Sequence, residues 1–284
     1  GKYGVIHYHA EGPCVMLGIP KLFGKRVVAT IHGLDWQRAK WGNLASRVLK
    51  FGEKIAAKYA DEVIVLSRNV QEYFKETYGR NTLYIPNGIN WPEWKEADVI
   101  KEKFGLHKDG YILFLARIVP EKGLHYLIEA FEQLDTDKKL VIAGGSSHSN
   151  EYVDMVHDMA AKDERIIFTD FVHGQCLEEL YSNAYVFVLP SDVEGMAISL
   201  LEAMSYGNCC LVSDIRENTE VVEDCAVMFK KSDVKDLGEQ LKELLQNPQK
   251  VQSFKERSQS FICNKHNWDQ VVEETMKLYK NKVH

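Results

Sequence analysis

Two carboxylates, Glu194 and Glu202, stand with seven residues between them, just after the apolar run Tyr185–Leu189. The run predicts a buried parallel strand, and the residues after Gly195 predict a helix. A loop between a strand and a helix start favours anions, because free helix N–H groups and the helix dipole point toward it. Eight residues of helix span about 12 Å, which is longer than the ~5–9.5 Å between the two carboxyls of a glycosidase. We therefore predict that Glu194 and Glu202 hold two ends of one extended ligand.

Basic and glycine residues follow two other predicted strands. Arg117 comes after Tyr111–Leu115, and Gly144 and Gly145 come after Lys139–Ala143. Ligands of open α/β sheets bind beyond the carboxyl ends of the strands, which is where these residues fall. An arginine fork suits a diphosphate, a nearby lysine adds a compact second charge, and glycines let a backbone approach a ligand closely. The alternatives are a solvated basic pair and a plain turn.

Four segments, in this order along the chain, resemble the motifs of the retaining glycosyltransferases of family 4: Ala29–Gly33, Ile85–Ile89, Ala116–Gly123 and Glu194–Met204. The resemblance runs from about Tyr3 to the last helix. It implies an α/β fold of the GT-B type, with two Rossmann-type doubly wound domains facing a cleft. It also implies transfer of a sugar from a nucleotide-diphosphate donor, with no metal and no cofactor.

The resemblance assigns roles residue by residue. The implied catalytic residues are His32, Arg117, Lys122 and Glu194. Arg117 and Lys122 bind the diphosphate, Glu202 binds both ribose hydroxyls, and Glu194 and His32 contact the donor sugar. The implied donor-binding residues also include Gly144, Gly145, Phe171, Val172, Gly195, Met196 and Ala197. Retention by front-face attack is consistent with the lack of a clear enzymic nucleophile.

Two further motifs contain residue types that can bind metal ions, but neither predicts a metal site. Asp135-Thr136-Asp137 matches the metal-binding D-x-D pattern of a different glycosyltransferase architecture, but it precedes the strand Lys139–Ala143 and so falls at the opposite end of the sheet. Asp-rich turns also have backbone reasons of their own. His7 and His9 alternate on one strand face, yet two ligands without an evident third do not predict a zinc site.

The predicted helix Asn43–Tyr59 carries two stripes. One is apolar (Leu44, Val48, Phe51, Ile55 and Tyr59) and one is basic (Arg47, Lys50, Lys54 and Lys58), with Trp36, Arg38, Lys40 and Trp41 just upstream. The pattern fits an ordinary amphipathic helix packed on its domain. It also fits a peripheral contact with an anionic membrane.

Length, net charge and cysteine content limit the possible functions and domain organisations. The 284 residues suffice for two domains, and the net charge of −6 argues against nucleic-acid binding. Six cysteines without CxxC spacing favour free thiols in the cytoplasm. We predict an acceptor-side domain over residues 1–93, onto which a last helix within 266–284 packs back, and a donor-binding domain over 94–265. The first domain looks incomplete, because no strand and glycine-rich loop precede Tyr3.

The stretches His9–Pro13 and His32–Trp41 look most like bacterial enzymes of surface-polysaccharide synthesis, including rhamnosyltransferase-like members. The expected acceptor is a glycan or a polyprenyl-linked glycan, and the expected location is the cytoplasm, at the inner face of the membrane. Two other classes stay open. One is a non-catalytic nucleotide-sugar-binding fragment or subunit, inactive in transfer through truncation. The other is a GT-B-fold epimerase; a phosphorylase would need a pyridoxal-phosphate lysine site, and none is evident.

Overall fold

The computed structural model describes residues 3–37, 42–145 and 150–280. They divide into two compact units. Unit 1 comprises Gly1–Gly88, Glu194–Met196 and His266–His284, and unit 2 comprises Ile89–Val193 and Ala197–Lys265. Each unit has its own parallel sheet. The residues Arg38, Lys40 and Trp41, which the sequence linked to a membrane contact, lie outside the described part of the chain.

Unit 1 is built on a parallel sheet in the order β1-β2-β3-β4. The strands are β1 (Val5–His9), β2 (Arg26–Ile31), β3 (Glu62–Val65) and β4 (Leu83–Tyr84). The helices between them are α1 (Glu11–Cys14), α2 (Gly18–Leu22), α3 (Asn43–Tyr59) and α4 (Arg68–Tyr78). A short 3-10 helix covers Asp35–Gln37. Ser67 caps α4 by accepting from the Val70 N–H, and Gly79 ends it in the left-handed conformation.

Unit 2 is built on a parallel sheet in the order β10-β9-β8-β5-β6-β7. Its strands are β5 (Tyr111–Leu115), β6 (Lys139–Ala143), β7 (Ile166–Asp170), β8 (Val186–Leu189), β9 (Cys209–Ser213) and β10 (Val227–Phe229). Its helices are α5 (Val99–Phe104), α6 (Leu124–Glu132), α7 (Asn150–Ala160), α8 (Gln175–Asn183), α9 (Ile198–Ser205), α10 (Arg216–Val222), α11 (Val234–Gln246) and α12 (Pro248–Lys265). A 3-10 helix covers Pro120–Lys122.

The last helix, α13 (Trp268–Lys280), belongs to unit 1. Strand alternation explains how it is held there. Val27, Ala29 and Ile31 of β2 pack with residues of α3 and α4, whereas Val28 points to the other face and packs with Leu278 of α13. The sequence predicted this helix to Lys282, and residues 281–284 lie outside the described part of the chain.

The parallel α/β pattern predicted from the sequence is confirmed. Every residue of β8 and β9 is buried, as expected for central parallel strands covered on both faces. The differences are at strand ends. For example, β4 is only two residues long, whereas the sequence predicted a strand over Thr82–Ile85. The Ile85 N–H still donates to the Val65 carbonyl oxygen at 3.2 Å, and Pro86 after it has no N–H to continue the ladder.

The strand order of unit 2 contains a switch point. From β5 the chain moves outward through β6 and β7, then returns to β8 on the other side of β5 and continues to β9 and β10. The connections after β5 and β8 therefore leave in opposite directions. A crevice at the carboxyl ends of two such strands is the usual ligand site of an open α/β sheet.

Candidate functional site

The loops after β5 and β8 are fastened to each other at this switch point. Gly123 has a φ of +67°, and a Cβ there would lie 2.1 Å from the Pro190 carbonyl oxygen. The Asp192 N–H also donates to the Glu121 carbonyl oxygen at 2.9 Å. Only glycine fits both the left-handed conformation and the close approach. These contacts fix the short 3-10 helix that carries Lys122.

The loop after β6 fixes Arg117 from both sides. Gly144 has a φ of +136°, and its Cβ would lie 2.0 Å from the Ala116 carbonyl oxygen. The Ile118 N–H donates to the Gly145 carbonyl oxygen at 3.1 Å. The residues before and after Arg117 are thus held by the neighbouring loop. This packing accounts for Gly144 in structural terms, and the ligand contacts expected of Gly144 and Gly145 stay predictions.

Phe171 stands at the end of β7, with its ring against the second glycine of the β6 loop. A Cβ on Gly145 would lie 2.1 Å from this ring, and the Phe171 side chain is nonetheless 63% exposed. An aromatic ring with one face on backbone and the other open is suited to stacking a planar base. Val172 follows it and is half-buried. The base-binding role of both residues stays a prediction.

Glu202 is held by a buried tyrosine. Its Oε2 accepts from the Tyr181 O–H at 2.9 Å, and the Tyr181 ring stacks on Tyr206 at an interplanar angle of 14°. Burial raises the pKa of Glu202 above its ordinary value, and the hydrogen bond from Tyr181 opposes that rise. A carboxylate has about four acceptor sites. Glu202 can therefore keep Tyr181 and still accept from two hydroxyls.

The segment before α9 departs from the sequence expectation. The residues after Gly195 were predicted to be helical, but α9 begins at Ile198 and Ala197 is its N-cap. Gly195 and Met196 therefore precede the helix. For the same reason Glu202 lies about one turn into α9 rather than two.

Residues Glu194–Met196 belong to unit 1. The close packing of their backbone explains why residue 195 is a glycine. A Cβ on Gly195 would lie 1.8 Å from the His32 carbonyl oxygen. Nearby, the Asn87 N–H contacts the Met196 Sδ at 3.2 Å. The glycine is thus required by close backbone packing at the residue that follows β2. The contacts of Glu194 and His32 with a donor sugar stay predictions.

Three histidines meet at the carboxyl ends of β1 and β2. His9 Nδ1 lies 3.1 Å from His32 Nε2, and the ring of His7 stacks on that of His9 with centroids 4.2 Å apart. His7 Nε2 is 2.7 Å from Thr30 Oγ1, and its Nδ1 is 2.5 Å from the Tyr279 hydroxyl. Burial, followed by the neighbouring His9 and His32, lowers the pKa of His7 to about 4. His7 is therefore neutral near pH 7.

These histidines line a cavity of about 420 Å³ within unit 1, closed on one side by α13. The sequence indicated the pair His7 and His9 but not their meeting with His32, because that proximity depends on the parallel pairing of β1 with β2. Within residues 3–37, 42–145 and 150–280, no group of three or more His, Cys, Asp or Glu side chains is placed to hold a metal ion.

The Asp135–Asp137 turn lies before β6, at the edge of the sheet opposite the loops just described. Its backbone is used structurally, since the Thr136 carbonyl oxygen accepts from the Arg165 guanidinium at 3.0 Å. Lys138 N–H also donates to Thr136 Oγ1. These bonds match the interpretation of the turn as a backbone feature.

Sequence reasoning missed two buried carboxyls in unit 1. Glu11 Oε1 accepts from the Asp35 N–H at 3.0 Å, and burial, followed by the Asp35 charge, raises the pKa of Glu11. Glu53 of α3 accepts from the Trp36 indole at 3.1 Å and from the hydroxyls of Tyr73 and Tyr78. Glu53 falls between Leu49 and Ala56 at helical spacing, so its place on an inward face was detectable. No comparable signal exists for Glu11.

Comparison with known proteins shows the family to which the chain belongs. Residues 96–261 match the family described as glycosyl transferases group 1, and residues 1–91 match glycosyltransferase family 4. The chain belongs to the glycosyl transferases group 1. It is thus a family-4 glycosyltransferase that uses nucleotide-sugar donors, as the resemblance implied.

Individual relatives agree with the family. An uncharacterized glycosyltransferase of Methanocaldococcus jannaschii is 26% identical, over 98% of this chain and 75% of that protein. The Escherichia coli UDP-Gal:alpha-D-GlcNAc-diphosphoundecaprenol alpha-1,3-galactosyltransferase is 29% identical, over 78% of this chain and 61% of that protein.

A solved structure identifies the fold. Anabaena HepE, in complex with UDP and glucose, superposes with a TM-score of 0.87 at 18% identity, over 97% of this chain and 77% of that one. The glycosyltransferase therefore has the GT-B fold predicted from its sequence, with one four-stranded and one six-stranded parallel sheet among its described residues. In the same residues, none of the helices has the combined length and hydrophobicity needed to traverse a bilayer.

Proposed function

We propose that this glycosyltransferase transfers its sugar with retention of configuration to a glycan or polyprenyl-linked acceptor of surface-polysaccharide synthesis. The observation that carries the proposal is the switch point of unit 2, where backbone contacts hold the loops of Arg117 and Lys122. Glu202, oriented by Tyr181, belongs to the same unit. Two cations and an oriented carboxylate suit the diphosphate and the ribose of one nucleotide.

In the proposed reaction, the bond between the sugar and the diphosphate breaks and negative charge grows on the leaving phosphate. The Arg117 guanidinium and the Lys122 ammonium stabilise that charge, an electrostatic role that needs no metal ion. Glu202 binds both ribose hydroxyls. Glu194 lies near the anomeric carbon and His32 contacts the donor sugar. The acceptor hydroxyl attacks from the face that the phosphate leaves and gives its proton to the leaving phosphate oxygen, which accounts for retention without an enzymic nucleophile.

One relative supports the acceptor class, and the free thiols of the chain support the compartment. The E. coli relative is named for an acceptor on diphosphoundecaprenol. All six cysteines of this chain are free, which favours a reducing compartment. We therefore assign the reaction to the cytoplasm, at the inner face of the membrane when the acceptor is lipid-linked.

The test begins with calorimetric titration of the full chain with UDP and GDP in EDTA. UDP comes first because HepE was solved with it. We expect binding to survive the chelator. Arg117→Gln should weaken binding by about 1.5–3 kcal/mol, the range for hydrogen bonds to charged groups. Lys242→Gln on the exposed side of α11 removes the same charge from unit 2 and should leave the affinity unchanged.

A transfer assay completes the test, with a radiolabelled nucleotide sugar and a polyprenyl-diphosphate-linked acceptor. The anomeric configuration of the product should equal that of the donor. Binding without transfer would favour the non-catalytic alternative, and an epimerised sugar released without acceptor would favour an epimerase. If EDTA abolishes binding and Mg²⁺ restores it, the metal-free mechanism is wrong, and Asp135 and Asp137 become the residues to examine.

A further inference from the structure

The register of β1 and β2 brings the histidines of unit 1 into two matched contacts. In this parallel pairing, His7 lies opposite Val28 and His9 lies opposite Thr30. Side chains two residues apart share one face of a strand, so His7 and His9 point to the same side of the sheet. His7 contacts Thr30 and His9 contacts His32. Each histidine of β1 thus reaches the residue two positions beyond its partner in the pairing.

The contact between His9 and His32 joins one ring nitrogen of each residue. His9 Nδ1 lies 3.1 Å from His32 Nε2, and the ring centroids are 5.4 Å apart. A hydrogen bond between two imidazole nitrogens requires a proton on one and a lone pair on the other. While this bond is formed, the tautomer of neutral His32 is therefore linked to that of His9. The bond also restricts the rotation of the His32 ring.

His9 is supported from behind by His7. The two rings stack with centroids 4.2 Å apart and an interplanar angle of 28°. His7 is itself bonded at both ring nitrogens, to Thr30 Oγ1 and to the Tyr279 hydroxyl of α13. Burial, followed by the charges of His9 and His32, lowers the pKa of His7 to about 4. His7 therefore holds His9 in place near pH 7 without adding a positive charge beside the pair.

We infer that His9 is a positioning residue, which holds the His32 imidazole in one orientation and one tautomer for its contact with the donor sugar. The inference rests on the proposed function for that contact and adds a residue that acts through His32. A fixed imidazole presents the same nitrogen to the ligand in every turnover, whereas a free ring exchanges between two tautomers. Displacement of a reacting or binding group by about 1 Å can cost about 100-fold in rate, so such support matters.

Two substitutions of His9 separate the hydrogen bond from the bulk of the ring. His9→Phe keeps a ring that can stack on His7 but has no nitrogen to meet His32. His9→Asn is smaller, yet its amide group occupies the place of Nδ1 and can still form the bond. If the bond matters, its effects disappear in His9→Phe and persist in His9→Asn. If only bulk matters, the order of the two variants is reversed.

The first measurement is the position of the proton on His32 in the unliganded chain. Long-range ¹H–¹⁵N NMR reports it at about pH 8, above the ordinary histidine pKa of about 6.5. The His32 signals are identified by their absence in His32→Phe. We expect one tautomer in the unaltered chain and in His9→Asn, and a mixture of two in His9→Phe. A mixture in the unaltered chain, or the same single tautomer in all three proteins, would overturn the inference.

The second measurement is the transfer assay of the proposed function. His9→Phe should lower kcat/KM for the sugar nucleotide by about 2- to 12-fold, the range for one neutral hydrogen bond. It should leave the affinity for the nucleoside diphosphate unchanged, because that ligand has no sugar to meet His32. His9→Asn should keep most of the activity. The matched control is His107→Asn, at an exposed histidine of unit 2, which should change neither quantity.

The two measurements keep this inference apart from the proposed function. Absence of transfer by the unaltered chain would contradict the proposed function, whereas the NMR spectra decide the positioning of His32 without any ligand. Equal loss of activity in His9→Phe and His9→Asn would overturn the inference, as would a matching loss of nucleoside diphosphate affinity. Circular dichroism checks the fold of each variant. If His9→Phe fails to fold, His9→Gln replaces it, because its amide lies at the level of Nε2 and not of Nδ1.

Discussion

Glutamine in place of Glu202 tests the ribose assignment with little change in shape. The amide keeps an oxygen that can accept from the Tyr181 O–H, but it loses the negative charge and half of the acceptor sites. Hydrogen bonds to a charged group contribute about 1.5–3 kcal/mol. We therefore expect Glu202→Gln to raise the dissociation constant of the preferred nucleoside diphosphate by about 10- to 150-fold.

The pH dependence of the same titration gives an independent check. Because burial raises the pKa of Glu202, the carboxyl takes up a proton at a higher pH than an exposed glutamate. Nucleotide affinity should then fall as the pH is lowered through that raised pKa, since the protonated carboxyl no longer offers charge-assisted bonds. Glu202→Gln has no such proton and should lack this part of the pH dependence.

Two controls separate ribose binding from general effects on unit 2. Tyr181→Phe keeps the ring stack on Tyr206 and removes only the hydroxyl that orients Glu202. Its effect should be smaller, about 0.5–1.5 kcal/mol. Glu239→Gln on the exposed side of α11 should have none. Calorimetry at constant ionic strength measures all four proteins, and an unchanged affinity in Glu202→Gln would refute the ribose assignment.

Two further predictions concern stability and base binding. Since the pKa of buried Glu11 is raised, the native state keeps a proton that the unfolded state has lost, and stability should fall as the pH rises above the ordinary value of 4.5. Glu11→Gln should flatten that decline in urea unfolding between about pH 5 and about pH 9, and an equal decline in both proteins would contradict the burial argument. Gly145→Ala should displace the Phe171 ring and weaken nucleotide binding, whereas Gly238→Ala in α11, which meets only the Ala130 Cβ at 3.8 Å, should raise stability by up to about 1 kcal/mol and leave binding unchanged. Equal nucleotide affinity in the two alanine variants would argue against a base platform at Phe171.

The sheets were predictable because buried parallel strands consist of continuous runs of apolar residues, which are visible in the sequence. Val186–Leu189 has no polar residue, and the structure buries all of it. The same rule located Arg117 and the Gly144–Gly145 pair at the carboxyl ends of strands, where the structure has them. The sequence alone could not explain why residues 144 and 145 must be glycines. The requirement comes from their close contacts with Ala116 and Phe171, which are distant in sequence.

Helix α3 shows where hydrophobic pattern misleads. Most of its large apolar side chains form a stripe that periodicity would assign to the core, yet all members of that stripe except the partly covered Ile55 are exposed. The buried face consists of Leu49, Gly52, Glu53, Ala56 and Ala57, and its three small residues allow the helix backbone to approach its neighbours closely. A hydrophobicity scale ranks such residues below Leu and Phe. The distribution of large apolar residues therefore points to the wrong face, and the neighbours of α3 were needed to establish the inward one.

The loops after β5, β6 and β8, which we propose bind the donor, are held in place by backbone contacts with one another. Arg117 lies between two residues hydrogen-bonded to, or packed on, the β6 loop, and Lys122 ends a turn fastened to Pro190 through Gly123. Charges that are already fixed stabilise a developing phosphate charge without the cost of reorganising at the moment of reaction. If these loops bind the donor as proposed, the glycines that permit the backbone contacts contribute to binding without offering any charge. Under the proposed function, the affinity for the diphosphate would therefore depend on the spacing of the three loops as much as on Arg117 and Lys122.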